Sequence, residues 1–227
     1  MSIVKQVNLK TMQQHLNHPI VEFLANLYFE TKRLFYQFRY PNVTIAKGVR
    51  IKDSLKVSGK VKVTIGAGSR LRKRVRFSGS GEITIGCNVS LNGPWIGCQR
   101  AIAIADECLI SDCFIADSDY HNLEPHLRHS PLGPKASAPI VIDRNVWVGA
   151  RATVMKGVHI GENSVVGLGS VVRKSVPPNV VVIGNPQQIV KHFNPEKYSS
   201  DGKATEHEVS LCQSLSREEA MSALQDH

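Results

Sequence analysis

From Ile142 onward the chain places branched apolar residues at every sixth position: Ile142, Val148, Val154, Ile160, Val166 and Val172. Glycine directly follows three of them, at Gly149, Gly161 and Gly167. An alternation of two would describe a half-buried strand and a period of 3.6 an amphipathic helix; neither puts a turn-forming residue after every such position. A period of six describes one flat side and its corner. Three sides close a coil of about 18 residues, so Ile142 is expected to stack on Ile160, Val148 on Val166 and Val154 on Val172. The predicted fold is an all-β solenoid, a three-sided parallel β-helix. The same phase occurs earlier as Ile45, Ile51 and Val57, as Ile65, Leu71 and Phe77, and as Cys98, Ile104 and Ile110, with slips between the segments. A lone coil cannot bury its apolar face, whereas a stack can, and both ends of the stack need a cap.

Residues 1–42 are read as the N-terminal cap. After Asn17 or His18 and Pro19, the residues Ile20, Phe23, Leu24, Leu27, Leu34, Phe35 and Phe38 fall at helical spacing. The expectation is that this stripe packs on the solenoid; the rival is a helix lying on a membrane surface, because Lys32, Arg33 and Arg39 are close by. The repeat region is taken as residues 43–191, interrupted by an inserted loop at 117–139. At the other end, Pro177 and Pro178 are expected to end the coil. Residues 192–227 form a polar extension in which Ser216 and Glu219 have the spacing of a capping box for a short terminal helix.

Composition narrows this picture. Aromatic residues make up 6% of the chain, so Val, Ile, Leu and Ala must build the core, as β packing of branched side chains requires. No apolar run reaches the roughly 18 residues of a membrane span, and "MSIVKQVNLK" does not read as a signal peptide; a cytoplasmic protein is expected. The five cysteines, Cys87, Cys98, Cys108, Cys113 and Cys212, contain no C-x-x-C pair, which favours reduced, mostly buried thiols over a disulfide scaffold or a zinc site. The net charge of +9 implies an anionic partner without naming it.

The loop that breaks the repeat contains "DSDYHNLEPHLRHS", Asp117 to Ser130, with His121, His126 and His129. An insertion held on a rigid coil is a suitable place for chemistry. The segment "PIVIDRNVWVGARATVMKGVHIGENSVVGLGSVVRKSVPPNVVVIGNP" closely resembles the C-terminal half of the left-handed β-helix, hexapeptide-repeat acyltransferases. Within that family it is most similar to the galactoside, maltose, nodulation and capsule-type sugar O-acetyltransferases and the streptogramin acetyltransferases. The left-handed crossover is implied by this resemblance and not by the spacing.

The resemblance implies a homotrimer, acetyl-CoA in the groove between neighbouring helices, and a histidine of the broken coil that deprotonates the acceptor hydroxyl. His121 occupies the matching place. An imidazole of pKa near 6.5 suits such a base at neutral pH, though a loop histidine hydrogen-bonded locally also fits the residues alone. Asp119 is the first choice to orient its ring, ahead of Asp117 and Glu124; each also fits a solvated loop acid. Asn92, in "VSLNGPW", is similar to the family asparagine that contacts the acceptor, and equally fits a corner-forming asparagine; the following "GPWIG" departs from the polar residues usual there. For acetyl-CoA the implied contacts are Trp147, Gly149, Ala150, Gly167, Leu168 and Gly169, with Arg173, Lys174 and Lys191 for the nucleotide phosphates. Gln188 stands where relatives usually carry a basic residue.

His121 and His126 have an H-x4-H spacing similar to that of the trimeric β-helix carbonic anhydrases, but no histidine occurs between His18 and His121 to complete that ligand set. No metal is expected. Eleven basic residues between Lys47 and Arg76 face a single acid, Asp53. They fit a solvated face or one that steers an anionic glycan or membrane-linked acceptor. Nucleic acid is not expected, because aromatic stacking platforms and a recognition helix are lacking. The expected function is acetyl-CoA-dependent O-acetylation of a sugar in surface-polysaccharide or glycolipid synthesis. Aminosugar N-acetylation and a non-catalytic β-helix scaffold are the alternatives.

Overall fold

A computed structural model describes residues 19–131, 133 and 136–194. The expected helix near Ser216 and the residues before Pro19 lie outside this range. Among the described residues one α-helix, α1 (Pro19–Arg39), precedes twenty short strands that form three sheets. Sheet A contains β1 (Val43–Ile45), β4 (Lys62–Ile65), β7 (Glu82–Ile85), β10 (Ala101–Ile104), β13 (Ile140–Ile142) and β16 (His159–Ile160). Sheet B runs through β2 (Arg50–Ile51), β5 (Arg70–Lys73), β8 (Ser90–Asn92), β11 (Leu109–Ser111), β14 (Trp147–Val148), β17 (Val165–Val166), β19 (Val180–Ile183) and β20 (Gln188–His192). Sheet C is built from β3 (Leu55–Gly59), β6 (Val75–Gly79), β9 (Trp95–Cys98), β12 (Phe114–Ala116), β15 (Thr153–Val154) and β18 (Val171–Val172). From β1 to β19 consecutive strands belong to different sheets and each pairs in parallel with its counterpart one coil away, which is the parallel β-solenoid expected from the period.

The registers are those expected for the last full coils: Ile142 pairs with Ile160, Val148 with Val166 and Val154 with Val172. The interior is a set of ladders. Ile45, Ile65, Ile85, Ile104 and Ile142 form one, Ile51, Leu71, Leu91, Ile110 and Val148 another, and Phe77, Ile96, Ile115 and Val154 a third. The buried Ser69 is satisfied between coils: its Oγ donates to Gly86 O and accepts from Val89 N. Asn145 donates to Asn163 and Asn163 to Asn179 along a corner where all three have positive φ.

The slips in the early repeat have a local origin. Ile45 pairs with Ile65 and Ile65 with Ile85, so these coils are twenty residues long, and the extra residues sit in the corners at Gly59–Lys60 and Gly79–Ser80 between sheets C and A. A second slip corrects the expected row: Ile96, not Cys98, stacks on Phe77, while Cys98 pairs with Gly79. The C-terminal end also differs from expectation. The stacking does not stop at Pro177 and Pro178, because β19 continues sheet B on β17 with Val180 and Val182 buried. The strand β20 then turns back antiparallel to β19 and covers that edge. Cys98, Cys108 and Cys113 are free and buried, as expected, but Cys87 is disulfide-bonded, against the expectation of reduced thiols. Burial pushes the Cys108 and Cys113 thiols up to about 12.

The helix is where the expectation was reversed. The stripe from Ile20 to Phe38 faces solvent, and the face on the solenoid contains Ala25, Phe29, Arg33, Tyr36 and Tyr40, with both tyrosines against the core. The cause is hydrogen bonding to the first coil, whose strands β1, β2 and β3 are the free edges of the three sheets. The buried Arg33 donates to Ile45 O, Glu30 and Gln37. Lys32 donates to Lys52 O and the Gly48 amide donates to Glu30. An uncovered edge is a row of unpaired peptide groups, and only the polar side of the helix can satisfy them.

Phe77→Ala empties one side of a ladder and is expected to destabilise the protein by about 3–5 kcal/mol, read from denaturant unfolding. The Gly48 amide, and after it Arg33, holds the Glu30 carboxyl below its ordinary 4.5. The contribution of Glu30 is therefore present above pH 4.5 and is lost as pH falls through the lower folded value. The protection factor of the Gly48 amide, its exchange corrected for the intrinsic pH dependence, should fall in that window, and Glu30→Gln should flatten that fall.

Candidate active site

The coil breaks where β12 ends. Residues 117–139 leave sheet C and return at β13, and their base is closed by paired backbone: Asp119 N donates to Ala136 O, Ala138 N to Asp117 O, and Ser118 bridges Ser137. The anchor is Asp117, which is fully buried. Its carboxylate accepts from the amides of Gln99, Arg100 and Ala101 at 2.7, 2.7 and 3.0 Å, and from the Cys98 thiol at 3.4 Å. Burial, and then this carboxylate, drives the Cys98 thiol pKa well above its ordinary value. Asp117 thus holds the loop to the previous coil. The loop interior is tied by Asn122, whose amide donates to Leu127 O, Ser130 O and Pro131 O.

Tyr120, immediately before His121, has φ of +62°, a conformation rare for a bulky residue. Its ring folds back onto the outer face of sheet C. Gly97 makes this approach possible, since a Cβ there would lie 1.8 Å from the Tyr120 hydroxyl. Burial, and after it the Asp117 charge, raises the phenol pKa, while a hydrogen bond with Ser78 opposes the shift. Ser78 also accepts from Trp95 Nε1 at 2.9 Å. Trp95 packs edge-on against Phe114, and the Arg76 guanidinium lies 5.7 Å from its ring centre. The result is a half-exposed aromatic platform ending at His121. Sequence reading missed it, although the outward positions Arg76, Trp95 and Phe114 are in register on neighbouring strands.

His121 is exposed and has no hydrogen-bond partner among the described residues. Asp119 is not on its ring: its carboxylate pairs with Lys156, which lies 37 positions away in sequence. His126 and His129 are exposed in the same loop. Among the described residues there is no group of three or more His, Cys, Asp or Glu side chains able to hold a metal.

Asn92 and the candidates from Gly149 to Gly169 lie along one edge, where sheet B turns into sheet C. Asn92 pairs with Ser111 on β11, and Gly149 and Gly167 directly follow the ladder residues Val148 and Val166 of the same sheet. The side chain of Asn92 has no hydrogen-bond partner among the described residues. It stands before the start of β9, one coil before β12, and the loop leaves from the far end of β12, so Asn92 and His121 lie at opposite ends of sheet C within one chain. Gly149 is small for the solenoid itself: a Cβ would lie 2.8 Å from Leu168 N and 2.9 Å from Val166 O. The amides of Gly149, Gly167 and Gly169 are already spent on Val166 O, Val182 O and Ala150 O. Those of Ala150 and Leu168 have no acceptor among the described residues, and Leu168 is well exposed. Trp147, 49% exposed, lies between Leu109 and Val165 on the outer face of sheet B. This edge therefore offers free N–H donors beside apolar surface, which fits the amide-bearing arm of coenzyme A.

Arg173 and Lys174 follow β18, and their backbone is clamped by Gln187, whose Oε1 accepts from both amides and whose Nε2 donates to Lys174 O. Their side chains are exposed. Lys191 sits apart on β20, its ammonium over Phe193. A surface depression of about 570 Å³ on sheet A is lined by Asp143, His159, Ser175 and the two prolines; none of the candidate residues lines it.

A family model described as bacterial transferase hexapeptide (six repeats) matches residues 139–174. The chain is 39% identical over 93 residues to the galactoside O-acetyltransferase of Escherichia coli (strain K12), covering 41% of this chain and 45% of that protein. It is 40% identical over 91 residues to the galactoside O-acetyltransferase of Lactococcus lactis subsp. lactis (strain IL1403), covering 40% and 41%. The matched segment thus spans less than half the length of these curated relatives. Among solved structures, the polySia specific acetyltransferase NeuO is similar with a TM-score of 0.59 and 25% identity, over 74% of this chain and 83% of that one. A variant of AntD, an N-acyltransferase from Bacillus cereus, shares the fold with a TM-score of 0.57 at 18% identity, over 80% and 96%.

Asp117→Asn replaces one acceptor oxygen by a donor facing backbone N–H groups. It should cost about 1.5–3 kcal/mol, seen as a lower melting temperature together with faster proteolysis within residues 117–139.

Proposed function

From the match of residues 139–174 to the bacterial transferase hexapeptide model and the similarity to galactoside O-acetyltransferases, we propose that the chain is a hexapeptide-repeat acetyltransferase that transfers an acetyl group from acetyl-CoA to a sugar hydroxyl on a surface polysaccharide or glycolipid. The observation that carries this reading is an exposed imidazole with no partner among the described residues, His121, near the start of the loop and next in sequence to Tyr120, whose ring lies on an aromatic and arginine-bearing platform. A neutral imidazole can accept the hydroxyl proton as the oxygen attacks, and can return it to the departing thiolate. Acetyl-CoA supplies the activated carbonyl. The free amides of Ala150 and Leu168, the flank of Trp147 and the cations Arg173, Lys174 and Lys191 are the groups available to hold it.

The amide of Asn92 is available to orient the acceptor hydroxyl. Since Asn92 and His121 stand at opposite ends of the sheet C strands, the complete site is proposed to need two chains, the loop of one approaching the Asn92 edge of its neighbour in a homotrimer. Asp119 is assigned to positioning: its pairing with Lys156 fixes the loop base and leaves the imidazole to be oriented by the neighbour or by the acceptor. A glycan acceptor accords with the similarity to a polySia specific acetyltransferase, and Trp95 with Arg76 suits a sugar ring that carries negative charge.

The test is an acceptor screen that reads free thiol released from acetyl-CoA, run beside His121→Ala. The variant should lose about 10²–10⁴-fold in turnover and keep its affinity for coenzyme A. Equal turnover by the variant would remove His121 from the chemistry, and transfer to aminosugars alone would reassign the acceptor to an amine.

A further inference from the structure

The outward face of α1 is unexplained by the solenoid it caps. Phe23, Leu24, Leu27, Leu34, Phe35 and Phe38 are 55–90% exposed and lie on the side of the helix opposite Arg33, Tyr36 and Tyr40. Since those inward residues bond to the free edge of the first coil, the apolar stripe points away from the solenoid at its N-terminal end. A continuous apolar strip of this length is unusual on a surface that meets only water.

The ground behind the stripe is strongly basic. The first two coils expose all eleven cations between Lys47 and Arg76 against the single acid Asp53. They occupy every side of the triangular section: Arg50 and Arg72 on or beside sheet B, Lys56 and Arg76 on sheet C, Lys62 on sheet A. Coils stack about 4.8 Å apart, so both belong to a collar about one Debye length deep, ~8 Å at physiological ionic strength. A ring of positive charge surrounding an apolar stripe at one end matches a plane of negative charge that borders an apolar layer. A second copy meeting the first end to end would set two such collars against each other, which their like charge opposes.

We propose that this end of the molecule docks on an anionic lipid bilayer. The helix α1 lies in the interface with its stripe in the acyl boundary, and the collar of the first two coils rests against the headgroups. No described helix is long and apolar enough to cross a membrane, so the association is peripheral. It would hold the solenoid upright on the bilayer, with the loop of His121 several coils above the lipid plane, at the height of a glycan carried on a lipid anchor. The docking does not depend on the proposed chemistry and its test uses neither acetyl-CoA nor an acceptor.

The full chain is sedimented with vesicles of phosphatidylglycerol and phosphatidylcholine in equal parts, and with vesicles of phosphatidylcholine alone, at low and high salt. Expected is binding to the anionic vesicles at least about tenfold tighter than to the neutral ones, weakened by salt. Leu27→Glu with Phe38→Glu, and separately Lys56→Glu with Arg72→Glu, should each reduce binding about tenfold or more while the melting temperature stays unchanged. Because every substituted side chain is exposed, the two variants test stripe and collar without touching the core. Wild-type protein that stays in the supernatant with anionic vesicles would overturn the proposal, as would variants that sediment like the wild type. A change of oligomeric state in lipid-free Leu27→Glu, Phe38→Glu protein would likewise overturn it, and would assign the stripe to contact between copies.

Discussion

Everything in this molecule depends on one constraint: a coil cannot bury its own apolar side chains and must bond to the coil before it and the coil after it. The peptide hydrogen bonds between coils and the inward ladders of Ile, Leu, Val and Phe77 satisfy that constraint together. They also fix where each outward residue stands. Arg76, Trp95 and Phe114 form a platform because their inward neighbours Phe77, Ile96 and Ile115 are stacked. Asn92, Gly149 and Gly167 share an edge because Leu91, Val148 and Val166 share a ladder. The chemistry-bearing residues are placed by the register of a core that contains none of them.

The two ends show the same constraint from outside. At the C-terminal end the coil edge is satisfied by backbone, with β20 folding back on β19. At the N-terminal end it is satisfied by side chains of α1, chiefly the buried Arg33 and Glu30. Helical spacing identified the apolar residues of α1 but could not say which face would turn inward. An apolar stripe inward would have left the buried Ile45 O without its partner, and a buried peptide group without a partner costs about as much as a lost hydrogen bond. The polar and aromatic face won, and the stripe was left outward.

The repeat was legible because its residues are local: Ile142 to Val172 announce their own register. The early coils were blurred by the added corner residues at Gly59–Lys60 and Gly79–Ser80, which shift the phase without changing the inward pattern, so Cys98 fell into a row that Ile96 fills. The break in the repeat was equally legible, and with it the position of His121. What sequence could not give were pairs brought together by stacking. Lys156 meets Asp119 across 37 positions, and Asp117 reads as one of several loop acids until three amides of the preceding coil are seen on its carboxylate.

That difference separates the two aspartates on either side of Ser118. A carboxylate that accepts three amides is saturated, and its charge is used to close the coil before the loop leaves it. A carboxylate on a lysine from the next coil does the same on the other side. Between them the loop base is bound to the coils before and after it, so the strained backbone at Tyr120 is held from both directions, by Asp117 and Lys156 through the chain and by Ser78 and Gly97 through its ring. Strain of this kind persists only where the surroundings over-determine it. The imidazole of His121 has no partner among the described residues and is free to take its orientation from whatever occupies the platform beside it.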